Sequence, residues 1–520
     1  MGLQRFPYVD FSGGINLRDN AAGLEDNESQ NERNVTRNSK GLIGQRKGKS
    51  RIDVSGFPAS KRAEHMRNWY TSSGRLLMLS IDGTVYSMDT SGALTSRFAG
   101  TAGKVWCFEA MLDSGGADKI WMMNGTDTPK KMDPGGTVTN WANSPPNGTM
   151  LKVWKNKMII SGVAANPMRL FWSNIADPEN PAAAYGTNWI DIKSSEDDQD
   201  PITWIDTCQD ALIVFKRRSV WMVFEAVNFT NVRLGKPGCE GRFQSVELYG
   251  ALFYMCRDGI YSVQPNSEPR YESSKIGPIF SGTSNPVGAI NTAAFDACRM
   301  AASRDRRLLL AIPLGSNTTP NLLIEGVPEL RGVQHVSGRR VLSDMPYSLH
   351  DIPCSSLATF RQVTTDDVVA GAGDAAKVHR IFSGLNDDGV AIDSFFFGAW
   401  RSLISEEPLE RLRRINVEHQ GRLTIDLFRD FNVQAPIYSK ELIQKVDQPL
   451  EWDDTLPWDD GLPWDPSAAT GLSRARPEKR GRYHALMVRN NVKDESWILY
   501  TIEFAFRGGK EHVTGIGDRA

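Results

Sequence analysis

From about Phe57 to Ser383 the chain is a succession of short apolar or alternating runs cut by clusters of Gly, Asp, Asn and Pro, and this punctuation leaves few folds open. The runs include Arg75–Ser80, Lys119–Met123, Lys157–Ser161, Arg169–Ser173, Ala211–Phe215, Ser219–Phe224, Ala251–Cys256 and Arg307–Ile312. Each has the length of a strand. Several come in pairs: an apolar strand, a turn, then a second strand with an aromatic near its middle. The clearest echo is Asp82-Gly83 leading into Val85-Tyr86-Ser87 and Asp258-Gly259 leading into Ile260-Tyr261-Ser262. Such hairpins, recurring every 40–50 residues or so, predict the blades of a β-propeller. Blades pack on their neighbours through both faces, which blurs the in/out alternation of each strand. The pattern leaves the number of blades open.

On either side of this series the character changes. Between Gly315 and Thr359 the strand pattern weakens and charged residues such as Glu325, Glu329, Arg331, Arg339 and Arg340 dominate, which predicts an insertion projecting from a blade. From Phe395 to Arg507 the strands lengthen and alternate, as in Leu423–Phe428 and Trp497–Phe506, and read as a β-sandwich. The stretch Glu451–Pro466 carries a small tandem repeat, Leu456-Pro457-Trp458-Asp459 and Leu462-Pro463-Trp464-Asp465, whose prolines exclude it from a central strand. The first fifty residues are polar and glycine-rich. Asp26 is placed to cap a short helical turn over Asn27-Glu28-Ser29, Gly13-Gly14 predicts a tight bend, and Leu42-Ile43 reads as a strand. The expected organisation is therefore all-β: an N-terminal docking segment with a short helical portion over 1–56, a β-propeller over 57–390 with an insertion near 315–359, and a C-terminal β-sandwich over 391–520.

A chain of 520 residues, 40% of them hydrophobic, supports two sizeable cores. A net charge of −2 argues against nucleic-acid binding by bulk charge and leaves only local basic patches. The six cysteines are dispersed with no CxxC pair, as expected of small core residues in a reducing compartment. No basic leader followed by an apolar segment opens the chain, and no window approaches the ~20 apolar residues of a membrane helix. The expectation is a protein made in the cytoplasm.

Motifs for chemistry are sparse. Gly44-Gln45-Arg46-Lys47-Gly48-Lys49-Ser50 resembles a phosphate loop but has one residue too few between its glycines and no βα unit around it. The seven histidines are isolated, without HExxH or His-x-His, and there is no Gly-x-Ser-x-Gly elbow. The run Glu196-Asp197-Asp198-Gln199-Asp200 offers a carboxylate pair or a calcium site against the plainer reading of a solvated loop. Arg474–Arg482 and Arg411–Arg414 are basic patches that face either an acidic partner or solvent. Trp458 and Trp464 supply either a partner or host contact, such as a sugar platform, or a turn folded on its own domain.

The order of several motifs resembles a known family. Phe11-Ser12-Gly13-Gly14-Ile15-Asn16, Leu24-Glu25-Asp26-Asn27-Glu28, Asn34-Val35 and Gly44-Gln45-Arg46 resemble the N-terminal signature of bacteriophage tail nozzle or hub proteins that carry a β-propeller. Phe171-Trp172-Ser173-Asn174, the segment Cys239–Val263, Arg480-Gly481-Arg482-Tyr483-His484 and Glu503-Phe504 to Gly508-Gly509 are similar to later parts of that family. The resemblance implies a structural virion tail protein made in the host bacterial cytoplasm. It would form a homohexameric ring that encloses the DNA exit channel, holds it shut, and joins a portal-side adaptor to distal fibres or spikes. DNA would pass without sequence-specific binding, with no catalysis, cofactor or metal. It places an assembly interface at Phe11, Gly13, Gly14, Asn34 and Arg46. A tail-tip propeller of a long-tailed phage and a carbohydrate-binding or carbohydrate-active propeller are the alternatives.

Overall fold

The computed structural model describes residues 4–72, 74–179, 182–193, 199–225, 229–331, 333–336, 339–342, 344–361, 366–401, 410–444, 471–477 and 479–507. The chain divides into two compact units. One joins Met1–Arg46, Pro346–Ser348 and Leu385–Ala520; the other comprises Lys47–Met345 and Leu349–Gly384.

The second unit is a β-propeller of seven four-stranded sheets. Six are built mainly from consecutive hairpins. In the first blade the turn Asp82-Gly83 joins Gly74–Ile81 to Thr84–Met88, with Ile81 opposite Thr84 and both turn residues at positive φ (47° and 79°). This is the two-residue turn whose twist matches the flanking strands, and glycine is the residue that adopts it at least cost. The anticipated echo at Asp258-Gly259 is displaced by one residue. There Cys256 pairs with Gly259, so the loop is Arg257-Asp258. The seventh blade differs: Cys354–Arg361, Asp366–Ala372 and Val378–Ile381 are completed by Lys49–Arg51, from the opposite end of the unit's sequence. That antiparallel pairing closes the ring. The propeller therefore begins at residue 47 and ends at 384 rather than spanning 57–390, because a strand expected in the N-terminal segment belongs to its last blade.

The anticipated insertion over 315–359 also narrows. Leu322–Gly326 and Tyr347–His350 are strands of the sixth blade, and only the hairpin Val333–Val336 and Arg339–Leu342 forms a separate sheet. Two of the charges that obscured this are paired: Glu325 takes Arg307 at 2.7 Å and His350 at 3.2 Å, and Arg331 takes Glu272 at 2.8 Å.

In the first unit the two ends of the chain share one sheet system. Glu410–Arg429 runs through it: its first half pairs with Trp497–Arg507 on one side and with Gly471–Ala475 and Lys479–Gly481 on the other, while its second half pairs with His484–Asn490 and Tyr438–Ile443. The change of partners falls at a register shift between Glu418 and His419 and at Gly421 (φ +78°), where a Cβ would lie 2.0 Å from the Ser496 carbonyl oxygen. The core contains Val35, Ile43, Ile415, Val417, Ile425, Val488, Leu499 and Phe506.

The N-terminal residues are part of this core and not a separate docking segment. Glu28–Arg33 pairs with Ser394–Gly398, Val35–Arg37 with Ile43–Gln45, and Ile43–Gln45 with Trp497–Arg507. The helical turn expected after Asp26 is absent. Asp26 pairs instead with Arg401 at 2.7 Å, and Glu28 begins a strand while its carboxylate accepts from Asn16 Nδ2 and Glu25 N. Strand pairing thus overrides the local capping signal. Among the described residues no helix is long and apolar enough to cross a membrane.

Candidate functional site: the axial cavity of the propeller

The first strand of every blade faces the axis. Ala63–Thr71, Cys107–Leu112, Met150–Trp154, Ile202–Cys208, Ser245–Leu248, Arg299–Ala302 and Cys354–Arg361 neighbour one another in turn, and the last lies against the first. They enclose a cavity of about 270 Å³. At ~30 Å³ per water this is room for a small molecule and nothing larger.

One wall is charged. Arg67 reaches Glu109 at 2.8 Å, Lys152 lies 3.8 Å from Glu109 and 2.6 Å from Asp206, and Asp206 accepts from the Ser245 hydroxyl at 2.5 Å, which accepts from Trp204 Nε1 at 2.8 Å. This relay crosses five blades. The opposite wall, at Ala301 and Ala358, is small and apolar. Burial pushes the Lys152 ammonium down, but Asp206 and Glu109 outweigh it and its pKa ends above the ordinary lysine value. Burial likewise raises Asp206, and Lys152 and Ser245 reverse the sign, so its carboxylate stays ionised.

A second layer is aromatic. The His65 ring stacks on Phe243 at 3.8 Å between centroids and on Phe108 at 5.3 Å, and Trp204 meets Phe243 at 4.9 Å. His65 Nδ1 lies 2.9 Å from the Trp106 carbonyl, which only accepts, so Nδ1 carries the proton. Burial holds this imidazole neutral, with its pKa lowered to about 3. Phe243 adopts φ +62°, a region bulky side chains rarely occupy, and its carbonyl accepts from Met300 N at 3.0 Å. Next to it a second cavity of about 170 Å³ opens between Thr203, Gly241, Arg242 and Asp296, and Phe243 and Arg299 line both.

None of these residues stands out in the sequence, although a signal exists. A lone charge sits mid-strand at the same place in four successive blades: Met66-Arg67-Asn68, Phe108-Glu109-Ala110, Leu151-Lys152-Val153 and Ile205-Asp206-Thr207.

The residues the sequence singles out lie elsewhere. Phe11, Gly13, Gly14, Asn34 and Arg46 are all buried in the first unit. Phe11 packs edge-on against Phe396 at 5.6 Å, and the Gly13 amide donates to the Asn27 carbonyl at 3.1 Å. Gly14 opens the two-residue strand parallel to Glu28–Arg33. Asn34 Nδ2 donates to the Asp393 carbonyl at 2.7 Å, and Arg46 donates to both Asp387 carboxylate oxygens at 2.8 and 2.6 Å. These residues are enclosed within the first unit, where their contacts hold its sheets together. The phosphate-loop-like stretch is two strand segments, Ile43–Gln45 and Lys49–Arg51. Of the basic patches, Gly471–Ala475 and Lys479–Gly481 are strands of the first unit's sheet. Trp458, Trp464 and the acidic residues Glu196–Asp198 lie outside the described residues. Among the described residues no group of three His, Cys, Asp or Glu is arranged to hold a metal ion. All six thiols are buried, and burial pushes Cys107, beside the cavity, up to about 11.

No protein-family model and no curated protein matches the chain. Solved structures do. A virginiamycin B lyase from Staphylococcus aureus with quinupristin aligns at 9% identity and a TM-score of 0.38, covering 64% of this chain and 98% of that one. BBS1N in complex with ARL6DN aligns at 10% identity and a TM-score of 0.37, covering 65% and 97%. PorZ of the type-IX secretion system of Porphyromonas gingivalis aligns at 12% identity and a TM-score of 0.33, covering 69% and 44%. At these values the likeness carries no functional argument, and the propeller rests on the sheet topology itself.

Proposed function

We propose that this chain is a structural component of a bacteriophage tail, a ring-forming nozzle or hub protein that encloses a DNA exit channel between copies. The observation that supports this reading is where the family-like residues sit. The N-terminal motif, from Phe11 to Arg46, and the C-terminal one, around Tyr483–His484 and Glu503-Phe504, belong to one unit with the propeller inserted between them in sequence. The resemblance therefore falls on positions that hold the architecture together, which is where a shared fold would preserve it. An axial cavity of about 270 Å³, lined by ion pairs and by Phe243, is too small for a duplex, so on this reading DNA passes through a lumen built by several propellers. Closed ring symmetry requires heterologous interfaces between identical copies. The reading assigns the chain no catalytic step.

The test is electron microscopy of the purified full chain with quantification of the chain in virions. Six-fold rings and a fixed copy number per virion are expected. A monodisperse monomer that never forms rings and is missing from virions would sink the proposal. A second reading, a small-ligand-binding propeller, draws on the charged wall of the axial cavity.

A further inference from the structure

We propose that the smaller cavity beside Phe243, lined by Arg242 and Arg299, is a binding site for a small oxyanion, a carboxylate or a phosphate, held by these two guanidinium groups. The inference is independent of the tail reading and concerns the propeller alone.

Both guanidinium groups lie against the Phe243 ring, Arg242 at 5.6 Å and Arg299 at 5.5 Å from its centroid. Arg299 donates Nε to the Glu64 carbonyl at 3.2 Å and Nη1 to the Asp296 and Cys298 carbonyls at 2.6 and 2.8 Å, and Arg242 donates Nη1 to the Thr149 carbonyl at 3.3 Å. These are neutral acceptors. Neither arginine has a carboxylate within ion-pair distance among the described residues. Elsewhere the propeller satisfies its half-buried arginines with acids: Arg67 with Glu109, Arg169 with Asp191, Arg307 with Glu325 and Arg331 with Glu272. A guanidinium carries five N–H donors in a fixed fork, so Nη2 of both residues and Nε of Arg242 remain for a ligand.

The nearby acids do not fill this role. Glu240 also lines the cavity but is held between Arg217 at 3.4 Å and Arg257 at 3.2 Å. Asp296 is exposed, and it offers Arg299 its backbone carbonyl. Glu64 is half-buried; burial and the Asp82 charge raise its pKa, and its Oε2 atom has no hydrogen-bond partner. Burial depresses Arg299 to about 10 and the Arg242 charge adds repulsion, which the more distant Glu64 and Asp296 carboxylates only partly offset. The adjoining cavity of about 170 Å³ admits a phosphate or a small carboxylate. Phe243 supplies the platform. Its backbone is left-handed, and the His65 and Trp204 rings pack against the side chain that both arginines lie on. Two guanidinium groups set against the same aromatic ring supply the positive charge and the N–H forks that an oxyanion takes.

The experiment is isothermal titration of the full chain, at constant ionic strength, with inorganic phosphate and separately with malonate. Saturable one-site binding of at least one of them is expected. Phosphate alone identifies a phosphoryl ligand, malonate alone a carboxylate, and both a general oxyanion site. Arg242→Gln, which gives up one long hydrogen bond and leaves the ladder intact, is expected to weaken binding at least about tenfold, and Arg242→Lys at least about fivefold because the fork is lost. Arg218→Gln, at an exposed arginine that lines neither cavity, should bind as the parent does. Lack of saturation in the parent, or equal binding by a folded Arg242→Gln protein, overturns the proposal. An unchanged thermal transition of the Arg242 variants separates loss of the site from loss of the fold.

Discussion

The two units are both built of antiparallel strands, yet they solve the problem of closing a sheet in opposite ways. In the propeller nearly every ladder joins strands adjacent in sequence, and one distant pairing, Lys49–Arg51 with Val378–Ile381, completes the ring. In the other unit distant pairings are the rule: Gln4–Tyr8 lies on Trp497–Arg507 and Glu28–Arg33 on Ser394–Gly398. Buried polar groups follow the same division. The propeller lines its axial cavity with the paired charges of Arg67, Glu109, Lys152 and Asp206, and the first unit buries Arg37 and Glu32 completely, with Arg37 Nε also donating to the Phe11 carbonyl at 2.5 Å. A unit made of local hairpins tolerates a hollow, polar centre because each blade is already satisfied internally. A unit made of distant pairings depends on a few residues that tie the chain ends together.

Truncation breaks this comparison most sharply. A chain lacking residues 1–46 is expected to lose the cooperative unfolding transition of the sheet unit while keeping that of the propeller, since Lys49–Arg51 remains. Extending the deletion to residue 56 should abolish both transitions. Differential scanning calorimetry with limited proteolysis reads the outcome, and an intact propeller transition in the longer deletion would show that ring closure does not need that strand.

Next in size is Arg37→Ala. It strands Glu32 in the core and should cost about 3–5 kcal/mol, read as a lower denaturant midpoint for the sheet unit with the propeller transition unmoved. Equal shifts in both transitions would mean the units do not unfold separately.

The smallest expected effect is the pH response of the propeller. An unfolded chain protonates His65 near pH 6.5, whereas the folded chain holds it neutral down to about pH 3, under burial and with Arg299, Arg67 and Arg242 opposing a further charge. Its contribution is fully present above pH 6.5 and declines as the pH falls through that window, by on the order of 3 kcal/mol at pH 4. His65→Phe keeps a ring on Phe243 and should flatten the dependence between pH 6.5 and 4. An unchanged slope would place the acid sensitivity in other groups.

Legibility in the sequence divides along the same line as the architecture. Strand runs and turn residues exposed the propeller because their pairing is local: the Asp82-Gly83 turn already names the partners on either side of it. The seventh blade and the N-terminal segment were not readable, since nothing in Lys49-Ser50-Arg51 points to Val378–Ile381. Local signals also misled. Asp26 has the form of a helix cap, and its carboxylate went to Arg401. The glycine and arginine motif at the N-terminus gave no sign of its enclosure, because burial cannot be read from residue type.

By itself, then, the sequence determined an all-β chain with a hairpin-repeat propeller followed by a longer-stranded sheet region, through periodicities and turns that act over a few residues. Only the tertiary structure decided the blade number, the union of the chain ends, and the axial site. Seven first strands separated by tens of residues had to close into a ring before Arg67, Glu109, Lys152 and Asp206 could meet and before Phe243 could carry two arginines. Closure is set by the summed twist and packing of whole blades, a property no short stretch of residues carries.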